Sequence, residues 1–180
     1  MNVPRLSVIG SSNVNGTAAT IKGPSEKAVR LSVLKILEEN ILCSMATVAR
    51  ERRAHINTAY FCYSDDLELY FLSHPNALHC RNLVTNPSMA MTIFSSSQQW
   101  SGPDKGLQLC GTCNRTSAKQ ARKAERLYEK RFAPYAKWKQ TLKTGDPARS
   151  YHFYRFVIRS LKVLHEKKFS EAMFVYATLK

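Results

Sequence analysis

Residues 43–94 read CSMATVARERRAHINTAYFCYSDDLELYFLSHPNALHCRNLVTNPSMAMTIF, followed by SSSQQW at 95–100 and GLQLCGT at 106–112. Strand signals follow one another quickly here, with turn clusters between them and one small helix. Such a row of short strands predicts a small β-barrel. Polar side chains gather at two of the junctions, which indicates an anion site of phosphate size at the rim. A barrel this small cannot enclose a large cofactor, so we expect the site to lie between two copies of the chain.

The composition is that of a folded chain. It has 180 residues, 44% of them hydrophobic and 10% aromatic, which suits one domain with a hydrophobic core. No apolar run approaches the roughly 20 residues that span a bilayer, and the first residues lack the pattern of a secretory signal. The five cysteines are an odd number and lie within strand patterns. This favours buried thiols in a reducing cytoplasm over a disulfide framework.

The chain is strongly basic, with 27 Lys and Arg against 13 Asp and Glu and a net charge of +14. Such a balance attracts nucleic acid, anionic lipid or phosphorylated small molecules. One segment carries basic residues at helical spacing, with Glu125 and Glu129 placed to pair with them along the same face. These basic residues are Lys119, Arg122, Lys123, Arg126, Lys130 and Arg131. We interpret this segment as a solvated helix face in preference to a surface for a phosphate-bearing partner.

The first forty residues divide into two segments. Residues 1–22 are rich in Ser, Asn, Gly and Thr without lasting periodicity, which predicts a mobile tail. A helix start follows at Pro24-Ser25-Glu26, and Asn40 suits the end of that helix. The apolar residues on one face of the helix are Val29, Val33, Ile36 and Leu37. We expect this face to cover one end of the barrel and residues 23–180 to form a single domain.

The rest of the chain alternates strand and turn signals. Strands are predicted over 43–49, 55–63, 67–72, 88–94, 105–116 and 151–163, from period-two alternation and from short apolar runs. Helical segments are predicted over 77–85 and, interrupted near Pro134, over 117–143. This order predicts a mainly β protein of the α+β class: a six-stranded antiparallel barrel with an N-terminal helix and a helical insertion before the last long strand.

The clearest chemistry lies between residues 73 and 82, where a strand ends and the short helix begins. Unpaired backbone N–H groups and the helix dipole favour negative charge at a helix start. A hydroxyl at Ser73, an imidazole at His79 and a guanidinium at Arg81 suit a phosphate there. The plainer interpretation is an ordinary helix start with Ser73 or Asn76 as N-cap. Taken alone, the junction does not separate the two.

The order of the elements carries a family resemblance. A hairpin is followed by an apolar strand, SSSQQW and LQLCGT, and between hairpin and strand stand Ser73, His79, Arg81, Asn82 and Asn86-Pro87. This order resembles the pyridoxamine 5′-phosphate oxidase-like superfamily, whose fold is the FMN-binding split barrel. The resemblance covers roughly residues 30–176. It rests on order and spacing, because no single motif in it is specific.

The resemblance implies that FMN lies across the interface of a homodimer. Backbone groups of Asn57, Thr58 and Ala59 would run beside the isoalloxazine. The phosphate would contact Ser73, His79, Arg81 and Asn82, and the neighbouring subunit would contribute Gln98, Trp100 and Gln108. The departure is His79, because a Lys is usual at this position in the family. A neutral imidazole is a poorer phosphate partner than Lys, although a nearby dianion raises its pKa.

The resemblance also implies an activity. A flavin takes up hydride from one substrate and passes it to a second substrate or to oxygen, so we predict an FMN-dependent oxidoreductase acting on a small organic molecule. No catalytic acid or base is assigned. Because one fold hosts many activities, the alternative is a non-catalytic FMN- or haem-binding module. A basic nucleic-acid-binding protein is disfavoured, because the chain lacks an RNP-like aromatic motif, a zinc finger and a helix-turn-helix.

Cys110 and Cys113 form a CxxC motif, the spacing of thioredoxin-type redox sites and of half a zinc site. The motif lies in a predicted strand, where side chains three residues apart point to opposite faces. A zinc site would need further ligands, and no second CxxC is present. We expect buried strand cysteines with no redox role, and no metal site.

Overall fold

The computed structural model describes residues 5–13 and 24–180. Its strands form one antiparallel sheet: β1 (Leu6–Ser12), β2 (Leu42–Val48), β3 (Ala54–Tyr63), β4 (Glu68–Ser73), β5 (Ser88–Phe94), β6 (Lys105–Arg115), β7 (His152–His165) and β8 (Phe174–Leu179). The order β7-β4-β3-β2-β5-β6 closes on itself, because β6 also pairs with β7. This confirms the predicted six-stranded antiparallel split barrel.

Within the described residues, five α-helices accompany the strands: α1 (Glu26–Glu39), α2 (Leu78–Thr85), α3 (Ala118–Arg131), α4 (Pro134–Thr141) and α5 (Glu166–Phe169). α1 begins at Ser25, whose Oγ accepts a hydrogen bond from the Ala28 N–H at 3.2 Å. Its predicted apolar face is fully buried in the main core, namely Val29, Val33, Ile36 and Leu37. Burying one such aliphatic side chain stabilises a fold by about 2 kcal/mol. Packing therefore anchors α1 to the barrel.

The long strand β7 serves two partners along one edge. β4 pairs with its first half, where Ser73 lies opposite His152, and β8 pairs with its second half, where Ser160 lies opposite Thr178. β1 then pairs with β8. Because β4 is short, the second half of this edge is free to extend the sheet beyond the closed barrel.

The predicted N-terminal tail is wrong over residues 6–12, which form β1. Leu6 is 1% exposed, and its N–H donates to the Glu26 carboxylate at 2.8 Å. The segment is short and its register shifts between Val8 and Gly10, so its own pattern is weak. Pairing with β8, which is distant in sequence, makes it a strand. The remaining residues of the predicted tail, 1–4 and 14–22, lie outside the described residues.

The basic helix α3 pairs with other elements of the fold. Lys123 Nζ lies 2.9 Å from Glu68 Oε2 and 3.3 Å from Asp66 Oδ2, which joins α3 to the β3–β4 hairpin. The expectation that Glu125 pairs along its own helix is wrong, because its partner is Lys139 of α4. Part of the basic face therefore holds the helical insertion against the barrel.

Arg131 has a structural role at the end of α3. Its guanidinium donates to the backbone carbonyls of Leu37 at 2.6 Å and of Asn40 at 2.5 Å. It also lies over the rings of Phe61 and Tyr63, at 5.1 and 5.0 Å from their centroids. The last carbonyls of a helix have no partner within the helix, so Arg131 closes the C-terminal end of α1.

None of the helices in the described part of the chain has both the length and the apolar character needed to cross a membrane.

All five cysteines are free thiols. Four of them are buried as expected, but the expectation of a buried thiol is wrong for Cys110, which is exposed. The predicted placement of Cys110 and Cys113 on opposite faces is confirmed, since Cys113 is 0% exposed. Burial raises the pKa of Cys43 and of Cys62 to about 12, and it also raises the pKa of Cys113. A thiol reacts as its thiolate. These three thiols are therefore unreactive for two reasons: burial keeps reagents away, and the raised pKa keeps the thiol protonated.

We expect one thiol of the native protein to react rapidly with 5,5′-dithiobis(2-nitrobenzoate), and all five to react after denaturation. Absorbance of the released thionitrobenzoate measures both. The Cys110→Ser variant is the control, and its native form should show no fast reaction. Two or more thiols reacting at the Cys110 rate would contradict the buried positions of the others.

Candidate functional site

The barrel opens between β3 and β4. These strands pair only from Tyr63 to Phe61, which lies opposite Phe71, whereas β3 continues back to Ala54 on its β2 side. In the described sheet, the other edge of β3 therefore has no strand partner between Ala54 and Tyr60. α2 lies beside this opening and packs on β2 and β3. The opening leaves backbone groups of β3 available to a ligand.

An inner polar cluster lies under α2 at the mouth of the barrel. Ser73 Oγ and His79 Nε2 are hydrogen-bonded at 2.8 Å, and Asn82 Nδ2 donates to Thr47 Oγ1 at 3.0 Å. The His55 ring is stacked parallel to that of His79, with centroids 6.5 Å apart. His79 and Asn82 are three residues apart and so share the inward face of α2. The structure therefore brings three of the predicted phosphate ligands together, already bonded within the protein.

The environment of the His79 side chain favours its neutral form. Burial lowers its pKa, and the neighbouring His55 lowers it further. Desolvation disfavours the charged imidazolium, and a second imidazole nearby offers it no compensating negative charge. In this environment the observed hydrogen bond of His79 is the one with Ser73.

The fourth predicted ligand, Arg81, is not among the hydrogen-bonded side chains of the inner polar cluster. It is exposed and lines a cleft of about 640 Å³ between α2 and the β2–β3 turn. Arg50, Arg52 and Arg53 line the same cleft from the turn. We call this feature the arginine cleft; Asn82 also lines it, so it adjoins the inner cluster. Among the described residues, Glu51 is the only acidic one that lines this cleft, which leaves an excess of positive charge there.

The turn of the arginine cleft has an unusual backbone. Glu51 and Arg52 have φ angles of 64° and 59°, in the left-handed region. Non-glycine residues held there store strain, and such residues cluster at functional sites. From the sequence alone, residues 50–53 are predicted only as a charged turn between two strands. The sequence signal for their role was the presence of three arginines within four residues. Together with the anion-binding character predicted for the start of α2, it could have indicated that they contribute to an anion site.

The predicted ring-binding residues lie along the open strand. Thr58 is exposed on the outer face of β3, while Asn57 and Ala59 are half-buried and point inward. Asn57 Nδ2 donates to the Thr58 carbonyl at 3.1 Å. The unpaired edge of β3 thus passes through the three predicted residues, as backbone contact with a ring requires.

The predicted contacts of the neighbouring subunit lie on β6 and on the β5–β6 turn. Gln108 is exposed on the outer face, and Trp100 is 95% exposed. Gln98 Oε1 accepts from the Lys105 N–H at 2.8 Å, which fixes the turn. Gln98 and Gln108 line one shallow cavity of about 290 Å³. These residues face outward, as a contribution to a second chain requires.

The predicted N-caps of α2 are wrong. The helix is capped by Ala77 without a side-chain hydrogen bond, and Ser73 instead bonds His79. The first turn of α2 thus has no side-chain cap of its own.

The family model described as pyridoxamine 5′-phosphate oxidase matches residues 32–165, which is most of the barrel and its insertion. The chain belongs to this family. The resemblance read from the order of the elements is thereby confirmed. No curated protein matches the chain.

Solved structures show the same fold at low sequence identity. A Clostridium acetobutylicum protein of the pyridoxinephosphate oxidase family, related to general stress protein 26, is 13% identical with a TM-score of 0.61, and the match covers 86% of this chain and 96% of that one. The haem storage protein HutZ of Vibrio cholerae is 16% identical with a TM-score of 0.57, with 80% and 92% covered.

The protein Atu2129 of Agrobacterium tumefaciens, of unknown function, is 20% identical with a TM-score of 0.61. The match covers 82% of this chain but 60% of that one, so the chain spans about three fifths of that protein. At these identities the similarity shows the family fold, and members of this fold differ in what they bind.

Proposed function

We propose that the protein is an FMN-dependent oxidoreductase that acts as a homodimer on a small organic redox substrate. Membership of the pyridoxamine 5′-phosphate oxidase family supports this proposal. The observation that carries it is the unpaired edge of β3 directly beside the arginine cleft. A strand edge offers backbone groups to a flavin ring, and clustered guanidinium groups offer charge to its phosphate.

The residues present fit FMN with one change from the sequence expectation. The isoalloxazine would lie along the backbone of Asn57, Thr58 and Ala59. Because the environment of His79 favours its neutral form and its ring is bonded to Ser73, the phosphate would take its charge from Arg81 and the arginine cleft. When bound, FMN supplies hydride transfer. The protein positions it and excludes water, and no side chain is assigned as acid or base.

A charge-free outer face supports the homodimer. The outward positions of β3 are Ala54, Ile56, Thr58 and Tyr60, and those of β5 are Ser88, Ala90, Thr92 and Phe94. None is charged, in a chain whose residues are 22% charged, and Ile56 is 72% exposed. Large uncharged patches mark interfaces.

The strand register supports a site shared by two chains, because Thr58 and Gln108 lie on this one face. Thr58 pairs with Ser44, Ser44 with Thr92, and Thr92 with Gln108. At about 4.8 Å per strand, Thr58 and Gln108 are separated by roughly 14 Å across the face. A two-fold axis through the face would bring Gln108 of one chain toward Thr58 of the other.

The proposal includes a reducing compartment, the cytoplasm. Its support is the set of five free cysteines in the described structure. Disulfides are the usual fate of cysteines in exported proteins.

A haem-binding module is the second candidate. HutZ, which shares the fold, is a haem storage protein, and this chain carries two stacked imidazoles, His55 and His79, at the mouth of the barrel. Imidazole is a common ligand of haem iron. In this alternative, the opening between β3 and β4 would bind haem and the protein would catalyse no reaction.

The absorbance spectrum of the purified protein, before and after addition of FMN, tests the function. We expect a two-banded flavin spectrum that persists through gel filtration and is bleached by a nicotinamide or deazaflavin donor. An intense Soret band would replace the proposal by the haem alternative. Failure to take up FMN at all would reject it.

Arg81→Ala is expected to weaken FMN binding at least about tenfold, because it removes a charge-assisted phosphate contact. Ser73→Ala should weaken it less than about threefold, since Ser73 is bonded to His79 and such a contact is worth little net energy. Flavin fluorescence quenching measures both affinities. Arg126→Ala is the control, because Arg126 is an exposed arginine of α3 that does not line the arginine cleft. Unchanged affinity in the Ser73→Ala/Arg81→Ala double variant would show that the phosphate binds elsewhere.

Mixing two defective chains tests the shared site. One chain carries Ser73→Ala/Arg81→Ala and the other Trp100→Ala/Gln108→Ala. A mixed dimer would contain one site with both defects and one with neither, so we expect about half of its sites to bind FMN normally. No recovery after subunit exchange would contradict a site built from two chains.

A further inference from the structure

A second cavity lies on the opposite side of the barrel wall from the opening between β3 and β4. It has a volume of about 500 Å³ and is bounded by α3, α4, the segment before β7 and the ends of β4 and β7. Leu72 of β4 lines it, whereas the next residue, Ser73, belongs to the inner polar cluster. Neighbouring strand residues point to opposite faces. The cavity is therefore separate from the proposed flavin site.

Small residues on facing elements leave this space open. Ala118 and Ala121 lie one turn apart on α3, and Ala148 faces them from the segment before β7. Side chains this short cannot fill the gap between a helix and a loop. The volume falls within the range of small-molecule sites, about 300–1,000 Å³.

The inner wall of the cavity is aromatic. Tyr135 and Phe153 are buried, with ring centroids 6.4 Å apart, and Trp138 lies 5.7 Å from Tyr135. Trp138 and Tyr151 remain 37% and 40% exposed at the cavity. Rings placed in this way bind a planar apolar group by stacking and by edge-to-face contact.

The outer wall of the cavity is cationic. Arg115, Arg122 and Arg149 line it, and in the described residues none of the three forms a salt bridge. Arg115 Nη2 lies 2.8 Å from His152 Nε2. Glu125 is the single acidic residue that lines the cavity in the described part of the chain, and it is paired with Lys139. An anion entering the cavity would therefore meet guanidinium groups with no carboxylate in competition.

We propose that this aromatic–arginine pocket binds a small planar aromatic carboxylate, with the ring against Trp138 and Tyr135 and the carboxylate at Arg122 and Arg149. The ring fits the inner wall because stacking and area burial favour flat apolar groups. The carboxylate fits the outer wall because a guanidinium binds it through paired hydrogen bonds. An acid with one or two fused rings is small enough to fit within a cavity of about 500 Å³.

Two tryptophans make the proposal directly measurable. Trp138 lies in the pocket, and Trp100 is 95% exposed on the β5–β6 turn. Their indole N–H signals in a nitrogen-15 correlation spectrum are assigned with Trp100→Phe. Naphthalene-2-carboxylate should shift the Trp138 signal saturably, with half-saturation at about 1 mM or below. The Trp100 signal should stay in place. No saturable shift of Trp138 would overturn the proposal.

The neutral analogue and two variants test the charged half of the pocket. Naphthalene-2-carboxamide should bind at least about tenfold more weakly than the acid, because it lacks the charge-assisted contact. Arg122→Ala and Arg149→Ala should each weaken binding of the acid but not of the amide. Arg126→Ala, one turn further on α3 and outside the pocket lining, is the matched control. Equal affinity for acid and amide would overturn the assignment.

Competition separates this pocket from the flavin site. The titration is repeated with FMN present, and Trp138 should respond to the acid as before. Displacement of the acid by FMN would mean that both occupy one pocket, which would overturn the proposal of a separate site. The Arg81→Ala variant should bind the acid normally whether or not it binds FMN.

Discussion

Replacing Gly111 by alanine is expected to destabilise the fold by about 3 kcal/mol or more, as strong overpacking does. A Cβ at this position would lie 2.1 Å from the Val157 carbonyl oxygen and 3.0 Å from the carbonyl carbon. Both are backbone atoms, so no side-chain rotation relieves the clash. The register of β6 against β7 shifts between Cys110 and Gly111, and this pairing closes the barrel.

Urea denaturation, monitored by circular dichroism, measures the free energy of unfolding of the Gly111→Ala variant and of the wild type. Gly10→Ala is the matched control, because Gly10 also lies in a strand and a Cβ there would meet nothing within 4 Å. That variant should be neutral or more stable by a few tenths of a kcal/mol. Equal stability of the two variants would show that the β6–β7 crossing can widen without cost.

Replacing Glu68 by glutamine is expected to cost about 3 kcal/mol at neutral pH and much less in acid. Burial acts to raise the pKa of this carboxyl, but hydrogen bonds from Tyr70, Lys123 and Arg155 outweigh burial and lower it to about 2. Tyr70 Oη lies 2.6 Å and Lys123 Nζ 2.9 Å from Oε2, and Arg155 Nε lies 2.8 Å from Oε1. The carboxylate thus joins β4, β7 and α3.

The pH dependence of this loss has a definite sign. The pKa of Glu68 falls from 4.5 in the unfolded chain to about 2 in the fold, a difference worth roughly 3 kcal/mol. Because the folded pKa is the lower one, this stabilisation is fully present above pH 4.5 and is lost as the pH falls toward 2. The wild type and the Glu68→Gln variant should therefore converge in acid.

Urea midpoints at pH 7 and pH 3 test the expectation. Glu51→Gln is the control, because the Glu51 side chain is 80% exposed and its loss should stay within about 0.5 kcal/mol at both values. If the free energy of unfolding of Glu68→Gln lies as far below that of the wild type at pH 3 as at pH 7, the destabilisation comes from packing rather than from charge.

Local patterns predicted the segments that neighbouring residues determine. The buried face of α1 followed from apolar spacing, and β5 was placed with both ends correct. The opposite placement of Cys110 and Cys113 followed from the period of a strand. In each case the apolar and polar positions alternate with the period of the helix or strand, so the sequence pattern predicts which face is buried.

Polar partners across the fold could not be predicted in the same way. Glu125 was expected to pair within α3 and instead pairs with Lys139 of α4. Ser73 was one of two candidates for the N-cap of α2, but the cap is Ala77 and Ser73 bonds His79. A polar side chain has several partners within reach in three dimensions, and spacing along the chain identifies only the local ones.

The sequence by itself determined the class of fold, the order of the six barrel strands and of helices α1 to α4, and the family, because periodicity and turn residues act over a few positions. Only the tertiary structure decided that residues 6–12 form a strand, that His79 is turned inward where its neutral form is favoured, and that Arg81 faces the three arginines of the β2–β3 turn. These features depend on closure of the barrel, which brings distant residues together. Closure sets burial and charge around each side chain, and these decide which residues are free to bind an anion.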